Sequence, residues 1–203
     1  MGSEGSKACL NVYLTNKTRL GRRRGMSKSF LMGNEAIGRG AVRAGVKVVS
    51  GYPGTPSTEV LETVAKHNPG DIYVEWSVNE KAGMEVAAAA AYTGARTMVT
   101  MKQVGLNVAS DPLMSLAYVG VKGGMVVVVA DDPGPISSQT EQDTRRFGQF
   151  SKLPVFDPSS PEEAYEMIKD AFEYSEKYHT PVLFRPTTRL CHGCASVELK
   201  ERV

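Results

Sequence analysis

The stretch IYVEWSVNEKAGMEVAAAAAYTGARTMVTM, residues 72–101, decides the fold. Its first part, Ile72 to Val78, is rich in β-branched and aromatic side chains and reads as a strand. Asn79 stands where a helix N-cap belongs, with a side-chain oxygen suited to a free backbone N–H of the first turn. From Glu80 to about Tyr92 the run is dominated by alanine, the strongest helix former. Thr93-Gly94 ends that helix, and Thr97 to Met101 reads as the next strand. Strand, helix and strand in one stretch make a βαβ unit, the connection that joins parallel strands.

The rhythm continues in both directions. Upstream, Asn34 is placed to cap a helix carrying Ile37, Ala41 and Ala44 at helical spacing, with Gly45 at its end. A short strand, Val46 to Val49, follows. The cluster Gly51-Tyr52-Pro53-Gly54-Thr55-Pro56 reads as a turn in which Thr55 is the N-cap and Pro56 the first residue of a helix reaching Lys66. Downstream, Gln103 to Asn107 reads as a loop leading into a helix around Pro112 to Tyr118. Met125 to Ala130 is a continuous apolar run of the kind buried at a sheet centre. Polar residues Asp131 to Asp143 form a long loop and Pro154 to Phe156 a short strand. Pro161 starts a helix with Ala164, Met167, Ile168, Ala171 and Phe172 on one face, and Val182 to Phe184 is the last strand. The fold class is α/β, a doubly wound, mostly parallel sheet with helices on both faces. One domain over residues 29–200 is expected, preceded by a disordered basic leader or tag at 1–28.

Composition fits a soluble globular protein. The chain has 203 residues, 41% hydrophobic and 23% charged, and a net charge of +2. No apolar stretch approaches the ~18 residues needed to cross a bilayer. Residues 1–28 hold seven lysines and arginines against Glu4, a balance of +6, so the remainder carries −4. The basic patch around Arg22-Arg23-Arg24 lacks a fold or interleaved aromatics, so neither nucleic acid nor membrane is an expected partner. Met26 is an alternative start. Three cysteines, Cys9, Cys191 and Cys194, are an odd number that argues against a disulfide framework and for a reducing, cytoplasmic setting. The CxxC at Cys191-His192-Gly193-Cys194 lacks the two further ligands of a tetrahedral metal site, so exposed thiols are expected there.

In open α/β sheets ligands gather beyond the carboxyl ends of the strands. The segments at 51–55, 79–80, 103–107 and 131–139 are therefore expected along one edge. No phosphate-binding glycine loop, dinucleotide fingerprint or nucleophile elbow is present. Glu80, in the first turn of its helix, has a plain structural reading, since the helix dipole favours an acidic side chain there by ~0.3–1 kcal/mol.

A resemblance adds a second reading. Val78-Asn79-Glu80-Lys81-Ala82-Gly83, then the alanine-rich helix and Ala91-Tyr92-Thr93-Gly94, resemble the pyrimidine-domain signature of thiamine-diphosphate enzymes. Further segments are similar to indolepyruvate:ferredoxin oxidoreductases: Gly33-Asn34-Glu35-Ala36-Ile37, the Gly51 to Ser57 turn, Glu75 to Lys81, Val104 to Asn107 with Ser110 to Met114, and Ser137-Ser138-Gln139 with Glu141-Gln142-Asp143. The likeness runs from about Phe30 to Leu199.

That resemblance implies a glutamate, here Glu80, hydrogen-bonded to N1′ of the aminopyrimidine and favouring the imino tautomer that removes the thiazolium C2 proton. A carboxyl near an apolar helix start would have its pKa raised by desolvation. The resemblance also implies cofactor contacts at Gly54, Thr55, Gln103 and Asn107, and contacts to the 2-oxoacid at Thr55 and Lys102. Relatives often have histidine where this chain has Gln103. Pyruvate-type relatives carry an arginine after the central strand where this chain has Asp131-Asp132, which argues against pyruvate as substrate. Magnesium and [4Fe–4S] clusters are implied in regions or partners outside these residues. The expected partners are a diphosphate-binding domain or subunit, a small subunit and ferredoxin, with coenzyme A as acyl acceptor, in a hetero-oligomer. Two other readings stand beside this one: the pyrimidine-side subunit of a non-oxidative 2-oxoacid decarboxylase, and a non-catalytic interaction module.

Overall fold

A computed structural model describes residues 27–203. Its organising element is β5 (Met125–Ala130), whose six residues are all buried because the strand is covered on both sides. Val126 and Val128 point into one core and Val127 and Val129 into the other, the alternation of a strand enclosed between two helical layers. Around it lie β2 (Val48–Gly51), β3 (Tyr73–Trp76), β4 (Thr97–Lys102), β6 (Val155–Phe156) and β7 (Val182–Phe184). They form a six-stranded sheet of order β3-β2-β4-β5-β7-β6, parallel throughout. The apolar run expected at the sheet centre is there.

One layer is made by α1 (Gly33–Arg43), α2 (Thr58–Lys66) and α6 (Pro161–Tyr178), which bury Ile37, Val60, Val64, Ile168 and Phe172. The other holds α3 (Glu80–Thr93), α4 (Gln103–Val119) and α5 (Thr144–Ser151), burying Met84, Leu106, Leu113 and Leu116. Small residues set the spacing. A Cβ on Gly40 of α1 would stand 2.5 Å from Ile168 Cγ2 and 2.7 Å from the Tyr165 carbonyl of α6. A short helix, α7 (Thr188–His192), completes the helical elements.

The ends of the described chain form a second, two-stranded antiparallel sheet from β1 (Ser27–Met32) and β8 (Cys194–Leu199). Neither strand, nor α5 or α7, was expected from the sequence. Ser27 and Lys28, assigned to the leader, lie in β1, and the rest of that assignment, with Cys9, falls outside the described residues.

Several local expectations are corrected. Helix α1 begins at Gly33, where the Met32 N–H donates to Glu35 Oε2 at 2.9 Å, so Asn34 is an internal, buried residue and not the cap. Helix α2 begins at Thr58, because Ser57 folds its N–H and Oγ back onto the Gly54 carbonyl at 2.8 and 2.9 Å and closes a separate turn. Thr55 is therefore an exposed turn residue and Pro56 precedes the helix. Residues 103–107 are the first turns of α4, which starts directly at the end of β4 and carries Pro112 inside it. Elsewhere the caps follow the sequence: Asn79 accepts from the Ala82 N–H at 2.9 Å, Gly94 takes a left-handed φ of 100°, and Ser160 accepts from the Glu163 N–H.

Candidate functional site

Because every strand of the main sheet runs the same way, the segments that leave their carboxyl ends meet along one edge. The Ser77 N–H donates to the Gly51 carbonyl, joining the ends of β2 and β3. Ser50 Oγ donates to the Gly83 carbonyl at 2.7 Å, tying α3 to β2. Lys102 lies against Gly54, its Cδ 3.4 Å from where a Cβ would stand, and its Nζ donates to Gln139 Oε1 at 3.3 Å. The four segments expected to share an edge do so.

Glu80 is the first residue of α3, placed by the Asn79 cap. Its half-buried side chain lies across Gly105 in the first turn of α4; a Cβ there would come within 2.6 Å of Glu80 Oε1 and 2.7 Å of its Cγ. Among the described residues nothing forms a hydrogen bond or ion pair with this carboxylate. A carboxylate with no internal partner, held beside a bare helix turn, keeps its hydrogen-bonding capacity for a group from outside these residues.

The other expected residues fall into two groups. Thr55 and Asn107 are exposed, and Gly54 and Lys102 are half-buried, all at the same edge. Gln103 is fully buried: its amide N–H donates to the Thr140 carbonyl at 3.0 Å, while Oε1 has no hydrogen-bond partner. Its visible task is to hold the segment after β5.

Asp131 and Asp132 anchor that same segment. Asp131 is buried and accepts from Arg185 Nε at 2.6 Å, Thr144 N–H at 3.0 Å and Thr144 Oγ1 at 2.8 Å. Burial pushes its carboxyl above the ordinary range, against the pull of these donors. Asp132 Oδ2 gathers the N–H groups of Ile136, Ser137 and Ser138 at 2.8–2.9 Å, and Oδ1 accepts from Thr188 Oγ1. Burial opposes ionisation there too, but the Ser137, Thr188, Ser138 and Ile136 donors outweigh it and lower the carboxyl to about 2. Both aspartates are committed inward and shape the loop. Arg185, which also pairs with Asp157 at 3.1 Å, was not singled out from sequence; its only signal was an arginine directly after a buried strand.

Away from the edge, Cys191 is buried in α7 and burial pushes its thiol well up, so the expected exposed thiol is not found. Cys194, at the start of β8, is half-buried, so neither cysteine of the motif is fully exposed. Among the described residues no group of three or more His, Cys, Asp or Glu is arranged to hold a metal ion, and no helix is long and apolar enough to cross a membrane.

Comparison with known proteins agrees with this architecture. Residues 39–203 match the family model described as pyruvate flavodoxin/ferredoxin oxidoreductase, thiamine diP-binding. The indolepyruvate oxidoreductase subunit IorA of Archaeoglobus fulgidus is 51% identical over 177 residues, covering 85% of this chain and 28% of the relative. That of Methanothermobacter marburgensis is 53% identical over 176 residues, with the same coverage. The 2-oxoglutarate synthase subunit KorA of Methanocaldococcus jannaschii is 31% identical over 188 residues, 88% of this chain and 50% of the relative. A solved 2-oxoglutarate:ferredoxin oxidoreductase from Magnetococcus marinus shares the fold, with a TM-score of 0.73 at 24% identity over 91% of this chain and 33% of that one. The chain thus spans little more than a quarter of the indolepyruvate relatives it matches. With the family model covering most of its length and its strand-end edge intact, the chain belongs to the pyruvate flavodoxin/ferredoxin oxidoreductase family, through its thiamine-diphosphate-binding domain.

Proposed function

We propose that this chain supplies the aminopyrimidine side of a thiamine-diphosphate site in a 2-oxoacid:ferredoxin oxidoreductase that decarboxylates an arylpyruvate of the indolepyruvate type, giving acyl-CoA, carbon dioxide and reduced ferredoxin. The observation that carries the reading is Glu80: a carboxylate without an internal partner, fixed at a capped helix start and laid across Gly105. Its environment suits an aminopyrimidine, whose ring nitrogen needs one acidic partner and whose ring needs room beside a backbone without a side chain. Bound thiamine diphosphate supplies the carbanion chemistry; the protein supplies orientation and electrostatics.

In this reading Glu80 holds a proton at its carboxylate for the ring nitrogen. The Gly54 to Ser57 turn and Lys102 face the 2-oxoacid, with Thr55 offering a hydroxyl and Lys102 a charge to its carboxylate. Asn107 and Gln103 complete the cofactor side, the latter by holding the loop after β5. The names of the indolepyruvate relatives favour an aryl substrate, and β5 is followed by Asp131 and Asp132, both committed inward, in place of the arginine of pyruvate-type relatives.

Around Glu80 the edge exposes Trp76, Val78, Val108 and Ile136, Val78 at 84%. Exposed apolar groups around a polar centre suit coverage by another domain, and a diphosphate-binding domain or subunit is the occupant this reading requires. Magnesium, the iron–sulfur clusters, the small subunit and ferredoxin enter from outside these residues.

The test is Glu80→Gln in the full-length protein assembled with its small subunit. A loss of about 10²- to 10⁴-fold in kcat is expected, the range for general acid–base groups. Activity within about twofold of wild type would remove Glu80 from the chemistry. Acyl-CoA with reduced ferredoxin is the expected product; free aldehyde would make the enzyme a non-oxidative decarboxylase.

A further inference from the structure

A second polar pocket lies at the opposite edge of the sheet, where the parallel strands begin. It encloses about 190 Å³ and is lined by Arg39 and Arg43 of α1, His67 at the end of α2, Tyr165 of α6, and Lys200 and Arg202 after β8. None of these residues takes part in the arrangement around Glu80.

The charge around this pocket is unbalanced. Glu166 serves both Arg43, at 2.8 Å, and Lys200, at 2.7 Å. Asp71 likewise serves Arg202, at 3.0 Å, and Lys47, at 2.5 Å. Arg39 has no carboxylate partner among the described residues; its Nη1 meets only His67 Nε2, at 3.3 Å. Burial, then the Arg39 and Lys66 charges, hold His67 below its ordinary range against the smaller opposing pull of Glu35, so the ring stays neutral and adds no charge of its own. Four cations therefore line the pocket against two carboxylates, a surplus of two, and Asp71 is further divided with Lys47 outside it.

The basic wall is also built and not merely solvated. The Arg43 side chain is only 10% exposed, its guanidinium sits over the Tyr165 ring at 5.1 Å, and its Nε is buried without an acceptor. Tyr165 is fixed in turn by accepting from the Lys200 N–H at 2.9 Å. A surplus of positive charge is costly to maintain, and a bound polyanion relieves it.

We propose that this pocket binds a phosphoryl group, either as a free inorganic anion or as the phosphate end of a larger metabolite. The volume is several times the ~30 Å³ share of one water, room for a phosphate. Guanidinium forks from separate elements suit a tetrahedral oxyanion, and a surplus of two charges suits its dianion.

The experiment uses the full-length protein already saturated with thiamine diphosphate, so that the cofactor's own diphosphate site is filled. Inorganic pyrophosphate, inorganic phosphate and adenosine monophosphate are titrated separately by calorimetry. Saturable binding is expected, weakening as sodium chloride rises. Arg39→Gln and Arg202→Gln are each expected to weaken it about tenfold, the loss of a charge-assisted hydrogen bond. Lys47→Gln, outside the pocket, is expected to change it by less than about threefold, with unchanged melting temperature for all three variants. Tighter binding of the inorganic anions than of the nucleotide identifies a free anion as the ligand, and the reverse order identifies a phosphate end. Absence of saturable binding by every probe at millimolar concentration overturns the proposal, as does equal weakening by Lys47→Gln. Catalysis through Glu80 is unaffected by either result.

Discussion

Replacing Gly105 by alanine separates the proposed role of Glu80 from the fold. The residue lies in α4 with an ordinary helical backbone, so alanine fits there without strain and favours the helix by roughly 0.5–1 kcal/mol. The added Cβ would stand 2.6 Å from Glu80 Oε1 and 2.7 Å from Glu80 Cγ, where ordinary contact begins near 3.4 Å. The atoms in the way belong to a flexible side chain, so the carboxylate retreats and the backbone stays. A retreat of about 1 Å at a reacting group costs on the order of 10²-fold in rate. The assay is 2-oxoacid-dependent reduction of a viologen dye by the full-length enzyme, alongside thermal melts and a thiamine-diphosphate titration. A hundredfold-order loss in kcat/KM, with a melting temperature equal to or above wild type, is expected. Wild-type turnover by Gly105→Ala would show that the position of Glu80 does not matter, and a lowered melting temperature would show that Gly105 serves packing instead.

Arg185→Met leaves Asp131 buried without its cation and is expected to cost about 3–5 kcal/mol in urea unfolding, with partial recovery in the Asp131→Asn/Arg185→Met double variant. Asp132, held at about 2 against an ordinary 3.8, contributes stability that is full above roughly pH 4 and is lost as pH falls through about 2. Asp132→Asn should therefore melt below wild type at neutral pH, and the gap should close on acidification; a constant gap would mean that the carboxylate's charge is not what holds the loop. Gly40→Ala forces α1 away from α6 and is expected to destabilise by about 1–3 kcal/mol. An unchanged unfolding midpoint would contradict the close approach of the two helices.

The sheet was legible because its signals are local. A strand such as Met125 to Ala130 declares burial on both faces by composition, and Asn79 and Gly94 bracket α3 with side chains whose capping chemistry is specific. Where the reading failed, the deciding contact was remote or belonged to the backbone. Asn34 looks like a cap, yet donates to the Pro56 carbonyl at 2.6 Å and to Glu59 Oε2 at 2.8 Å, partners far along the chain. Gln103-Val104-Gly105 resembles a loop because glycine is a weak helix former, but that glycine is required by the Glu80 side chain above it. Strands β1 and β8 pair across nearly the whole domain, and neither carries a pattern that names its partner. Glu80 stood out only through its family resemblance, since an acidic first turn is common in helices of every function.

The pairing of β1 with β8 sets Ser27 opposite Leu199, two positions that antiparallel geometry holds about 5 Å apart. Two strands so far apart in sequence close the described residues like a clasp, and loosening either one strips the backbone hydrogen-bonding groups of the other of their partners.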